Sequence, residues 1–152
     1  MAKVLIVYAS LTGNTRAGAH ILEDAFQTLG AKVDVQESYD ADPYDFENYD
    51  ICVVGTYTYG TNANLPDEIV DFYEELEDVD LSNKVYGIFG SGDLFYVGKY
   101  CLCVDYFEEQ FSKTGAIKGS SGIKYNLDPD EEATKELERF AEELVAKYEQ
   151  MN

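Results

Sequence analysis

The residues with the clearest capacity for chemistry lie together near the start of the chain, in Ser10-Leu11-Thr12-Gly13-Asn14-Thr15. Hydroxyls, an amide and a glycine follow an apolar run, Val4 to Ala9, and precede a helical stripe that Arg16 to Leu29 continues. A helix start leaves backbone N–H groups without partners and carries the positive end of the helix dipole, so this set suits an anion. Ser10, Thr12 and Thr15 add hydroxyl donors, Asn14 adds an amide, and Gly13 lets the backbone close around the ligand's oxygens. The turn contains no Gly-Lys-Ser/Thr run, which makes a nucleoside triphosphate with magnesium a poor fit. A monophosphate held by neutral dipoles suits it better. The plainer use of the same residues is a helix capped by Ser or Thr.

Two further loops follow apolar runs. Thr56 to Asn64 sets Tyr59 beside Gly60, and Gly90 to Tyr100 sets Phe95 and Tyr96 in the matching place. An exposed aromatic is costly unless something flat covers it, and two on adjacent loops can sandwich a planar ring. Ser91, Gly92 and Asp93 offer donors and acceptors to the polar edge of such a ring. A flat heterocycle with one terminal phosphate suggests a flavin mononucleotide. No nucleophile with a base nearby is evident, and the single histidine, His20, falls on the first helix as a surface residue.

The elements that must position these loops are legible as an alternation. Val4 to Ala9, Ile51 to Thr56 and Val85 to Phe89 are short apolar runs of the kind buried on both faces of a parallel sheet. Ala31 to Val35 alternates like a less buried strand, and Ala116 to Lys118 with Ile123 to Tyr125 predicts a fifth, irregular one. Helical stripes fill the gaps: Ile21, Leu22, Ala25, Phe26 and Leu29; Ile69, Val70, Tyr73 and Leu76; Val104, Phe107 and Phe111; and Leu137 to Tyr148. Pro66 suits a first helical turn, and "YDADPYDFENYD" predicts a solvated crossover with a short helix. Strand and helix in alternation give a doubly wound α/β sheet whose loops gather at the strands' carboxyl edge.

With 152 residues, 45% of them hydrophobic, the chain suits one domain over 1–152 with a core of its own. No charged-then-apolar leader precedes Val4, and no apolar run approaches the roughly 20 residues that cross a bilayer, so a cytoplasmic protein is expected. Cys52, Cys101 and Cys103 form no metal-ligand spacing and are expected as reduced thiols, and no metal is expected. Thirty acidic against eleven basic residues give a net charge of -19, which repels nucleic acid and anionic lipid and would steer a basic partner protein.

"SLTGNT" after the first strand, "TYTYG" after the third, and "GSGDLFY" with Cys101 after the fourth resemble a short-chain bacterial flavodoxin across essentially the whole chain. The resemblance implies a flavodoxin-like five-stranded parallel sheet in order 2-1-3-4-5 with helices on both faces. It further implies bound FMN, one-electron transfer at low potential between a reductase and acceptor enzymes, a monomer, and no substrate turnover. Carried across, Ser10, Thr12, Asn14 and Thr15 would hold the phosphate with the Leu11 and Gly13 amides. Tyr59 would lie on the inner ring face and Tyr96 on the outer, with Ser91, Gly92 and Asp93 at the pyrimidine edge. Thr56, Thr58, Gly60, Thr61 and Cys101 complete the implied site, where Gly60, lacking a Cβ, can turn its peptide toward the ring. Thr61 and Asn62 stand where many relatives carry an acidic residue, the spacing from Tyr96 to Cys101 is one residue longer than common, and Lys99 adds a positive charge. A flavin-dependent reductase, a signalling module and an activator of ribonucleotide reductase share this topology. The short loops give a reductase little substrate platform, and "GTYTYG" lacks a phosphoacceptor Asp.

Overall fold

A computed structural model of the chain describes residues 1–58, 65–92 and 101–152. Strands β1 (Lys3–Tyr8), β2 (Lys32–Glu37), β3 (Ile51–Tyr57), β4 (Val85–Gly92), β5 (Ile117–Lys118) and β6 (Ile123–Asn126) alternate with helices α1 (Asn14–Thr28), α2 (Asp67–Leu76), α3 (Leu102–Phe111) and α4 (Glu131–Gln150). The sheet is parallel in the order β2-β1-β3-β4-β5, as expected, with β6 also pairing β4. The three apolar runs are its centre: β1 and β3 are buried almost end to end, whereas edge strand β2 is exposed at alternate positions.

Each face of the sheet carries its own core. One packs α1 and α4 against Val4, Ile6, Val53 and Phe89, with Leu22, Phe26, Leu137, Phe140 and Leu144 fully buried or nearly so. The other packs α2 and α3 against Leu5, Val7, Val54 and Ile88 through Ile69, Phe72, Leu76, Phe107 and Phe111. Burying one such side chain contributes about 1.5–3 kcal/mol, which is why the stripes define the helices' inner faces. Leu29 does not join its stripe: it is the C-cap of α1 and is 40% exposed.

The fifth strand is divided. β5 pairs with Val85 and Tyr86 of β4, and β6 pairs with Phe89 to Gly92. Residues 119–122 of the edge chain therefore stand against only Gly87 and Ile88, and the surplus bows out as a bulge. The acidic crossover holds two 3-10 segments, Ser38–Asp40 and Pro43–Asn48, instead of an α-helix. Asp42 accepts the Tyr44 N–H, Asp45 accepts the Asp42 N–H, and fully buried Phe46 pins the turn against Phe72 and Phe111. These local bonds favour a tight turn over helix propagation. Pro66 is the N-cap of α2, one position before the first turn.

Candidate functional site

The turn after β1 is built by hydroxyls that first organise the backbone. Gly13 is the N-cap of α1 at φ 94°, ψ -5°, a left-handed conformation that a Cβ penalises, and no side chain bonds at the cap position itself. Ser10 acts from three residues earlier: its Oγ accepts the N–H of Gly13 at 3.1 Å and of Arg16 at 3.3 Å. Its own O–H remains to donate. The N–H groups of Leu11, Thr12, Asn14 and Thr15 have no hydrogen-bond partner among the described residues. The N-cap is thus a glycine and not the Ser or Thr of the plainer reading; Ser10 serves two of the turn's N–H groups from outside the helix, and four stay open.

Deeper in the turn, the Thr15 and Ser91 hydroxyls lie 2.8 Å apart, and both residues are buried. One donates to the other, so the pair keeps a single O–H to offer elsewhere. Behind them the Tyr125 hydroxyl donates to the Asn14 carbonyl at 2.7 Å. Ser10, Leu11, Thr12, Asn14, Thr15, Thr58, Ser91 and Gly92 line a cleft of about 120 Å³, together with Tyr57 and Leu127. No charged side chain lines it among the described residues. A larger cavity of about 450 Å³ lies along α1 and α4, but Asp24, Glu138 and Glu142 line it beside Ile21, Ala25 and Leu29, so its sign is wrong for a phosphate.

Other predicted site residues face elsewhere. Thr56 is fully buried and donates to the Tyr57 carbonyl at 3.1 Å. Thr58 accepts the Cys103 N–H at 3.2 Å and so caps α3. Cys101, the N-cap of α3 at φ 52°, is 1% exposed, and its thiol points to the carbonyls of Gly90 at 3.7 Å and Tyr125 at 3.8 Å. Neither Thr56 nor Cys101 lines the cleft. Tyr59, Gly60, Thr61, Asn62, Asp93, Phe95, Tyr96 and Lys99 lie outside the described residues. All three thiols are buried, and burial pushes that of Cys52 well above the ordinary thiol range.

Sequence reasoning passed over Tyr57 and Leu127. The sequence places Tyr57 in the loop after the third apolar run, and the structure makes it the last residue of β3. Leu127 holds φ 54°, its N–H bonds the Gly92 carbonyl at 2.8 Å, and it is 46% exposed beside the cleft. Nothing in a leucine signals a left-handed backbone. Tyr8, at the end of β1, donates to Glu37 at 3.3 Å; desolvation and then Glu37 raise its phenol, while Arg16 in the first turn of α1 pulls it down. His20 sits 3.5 Å from Glu23 on the outer face of α1, where the sequence places it.

A parallel doubly wound sheet with an open, anion-ready helix start at its carboxyl edge defines a nucleotide-binding α/β protein. The Flavodoxin family model matches residues 6–140. Probable flavodoxin 2 of Bacillus subtilis strain 168 is 38% identical over 148 residues, covering 97% of each chain. The solved flavodoxin of Streptococcus pneumonia TIGR4 superposes with TM-score 0.92 at 50% identity, over 96% of this chain and 99% of that one. A short-chain flavodoxin associated with a PDU bacterial microcompartment gives TM-score 0.94 at 41% identity, over 97% and 99%. The chain belongs to the flavodoxin family, whose members bind FMN and pass electrons to redox partner proteins instead of turning over a substrate. Among the described residues, no helix is long and apolar enough to cross a membrane.

Proposed function

We propose that the turn after β1 holds the FMN phosphate, and that the chain is a low-potential one-electron carrier between a reductase and acceptor enzymes. The observation that carries the first part is the N-terminus of α1, where unpartnered amides and neutral hydroxyls meet with no acidic residue in the first turn. Those residues fit a dianion: Ser10, Thr12, Asn14 and Thr15 would donate from side chains and Leu11 from its open amide, whereas the Gly13 amide expected beside it is held by the Ser10 hydroxyl. Bound FMN supplies the redox chemistry. Around it, Ser91, Gly92 and Asp93 would meet the pyrimidine edge, Tyr59 and Tyr96 would cover the ring faces and exclude water, and Gly60 and Thr61 would lie beside the ring. Thr56, Thr58 and Cys101 act from behind by holding the ends of β3 and α3. The net charge of -19 supports basic partners, and cysteines that are all buried suit the reducing cytoplasm, where we place it as a single-domain monomer.

The phosphate assignment is tested with apoprotein carrying Thr12→Val and Thr15→Val together. Each lost hydrogen bond to a charged group contributes about 1.5–3 kcal/mol, so FMN affinity should fall by roughly a hundredfold or more while riboflavin affinity holds. Equal weakening of both ligands rejects the assignment. For the partner assignment, electron-transfer rate constants with a basic reductase should fall as salt shortens the Debye length toward about 8 Å. Rates independent of salt would leave the acidic surface with solubility alone.

A further inference from the structure

We infer that Tyr125 is a positioning residue for the phosphate turn, an inference that rests on the phosphate assignment above. Tyr125 lies on β6, is 4% exposed, and donates its hydroxyl across 111 residues of sequence to the carbonyl of Asn14, the first residue of α1. It does not act alone. In the parallel register Tyr125 stands beside Ser91 of β4, and Ser91 is the residue whose hydroxyl meets Thr15 at 2.8 Å. Neighbouring positions on two adjacent strands therefore grip consecutive residues, Asn14 and Thr15, at the start of one helix. The grip fixes the direction in which that turn's open amides point.

A second observation shows that the fold makes room for this contact. Gly18 sits inside α1, where glycine costs about 0.5–1 kcal/mol relative to alanine. A Cβ there would stand 2.3 Å from the Tyr125 hydroxyl and 3.0 Å from Cε2 of Phe89. The helix gives up propensity so that the phenol can reach beneath its first turn. The other end of Tyr125 is tied as well, since its carbonyl lies 3.8 Å from the Cys101 thiol at the start of α3. Tyr125 thus joins the phosphate turn to the helix that closes the third loop.

Tyr125→Phe keeps the buried ring and removes only the donor. In apoprotein titrations, FMN affinity should fall about three- to tenfold while riboflavin affinity stays within about twofold, the size of one ordinary hydrogen bond acting on the phosphate end. Inorganic phosphate, followed by the amide shifts of Thr12 to Thr15, should weaken in parallel. Gly18→Ala, which displaces the same hydroxyl, should give the same selectivity. Unchanged FMN affinity in Tyr125→Phe, or equal loss of FMN and riboflavin, overturns the positioning role and leaves the hydroxyl a packing contact. Thr12→Val separates the two ideas. If that variant spares the preference for FMN over riboflavin, the phosphate assignment has failed; if it lowers the preference and Tyr125→Phe does not, only the role of Tyr125 has failed.

Discussion

The starts of α1 and α4 answer the same electrostatic problem in opposite ways. Asp130 caps α4 by accepting the Ala133 N–H at 2.8 Å, and Glu131 and Glu132 place two further carboxylates in the first turn. That end meets its dipole with its own carboxylates and serves one of its N–H groups with its own cap. At α1 the cap is a left-handed glycine, a neutral hydroxyl from Ser10 serves the Gly13 and Arg16 N–H groups, and the first turn holds no acid. The other two helices carry acids in their first turns as well, Asp67 and Glu68 in α2 and Asp105 in α3. In a chain with thirty acidic residues, a helix start whose first turn is clear of them supports the phosphate placement proposed above.

The largest effect should come from making the start of α1 resemble that of α4. Asn14→Asp puts a carboxylate against a bound dianion; at about 6 Å and an effective dielectric of about 20, the repulsion is roughly 5 kcal/mol before screening. FMN affinity should fall at least a hundredfold by fluorescence titration, and riboflavin should be nearly unaffected. The same change should stabilise the apoprotein by about 0.3–1 kcal/mol through the helix dipole, so urea unfolding should show no loss. A destabilised apoprotein would mean that the two helix starts differ for structural reasons. The reciprocal change, Asp130→Ala, should cost about 0.5–2 kcal/mol in unfolding and leave FMN affinity alone.

Much of this contrast could be read from residue types. Ser10 to Thr15 announce an anion turn because hydroxyls, an amide and a glycine have few other common uses between a buried strand and a helix. The strands were legible because Val4 to Tyr8 and Ile51 to Thr56 are apolar at both parities, which only a sheet covered on two faces requires. The bonds that complete the site were not legible, because they are tertiary. Thr15 meets Ser91 across 76 residues, and Tyr125, in a short strand pattern, is indistinguishable from an ordinary core tyrosine. Ser10 offered another kind of difficulty: its hydroxyl serves the backbone and the cleft at once, and sequence cannot rank the two. In the acidic crossover the short helix was legible, but not its 3-10 form, which Asp42 and Asp45 favour by bonding their own turn.

The smallest effect belongs to a carboxylate far from the open helix start. Asp34 is committed to an internal donor, the Tyr49 hydroxyl at 2.7 Å; that bond first, and partial burial second, push the phenol up from 10.0 to about 12. A tyrosine whose folded pKa is raised lends stability that is complete below its unfolded value and lost as pH climbs through the folded one. Stability should therefore decline between about pH 10 and 12. Tyr49→Phe should flatten that decline in urea unfolding at graded pH, by less than about 1 kcal/mol because the pair is largely solvated. An undiminished slope would place the alkaline sensitivity in other phenols, such as Tyr8 or Tyr86, which are also raised.

The division of the fifth strand bears on how copies of the protein meet at high concentration. A sheet edge with a long row of open N–H and C=O groups invites a strand from another molecule. Here one edge is β2, whose exposed Lys32, Asp34 and Glu37 set three charges along six residues. The other is broken by the bulge at 119–122 into pieces of two and four residues, so an incoming strand meets no run longer than four before its register fails. The same surplus residues that make the strand irregular therefore act against fibrillar growth from that side.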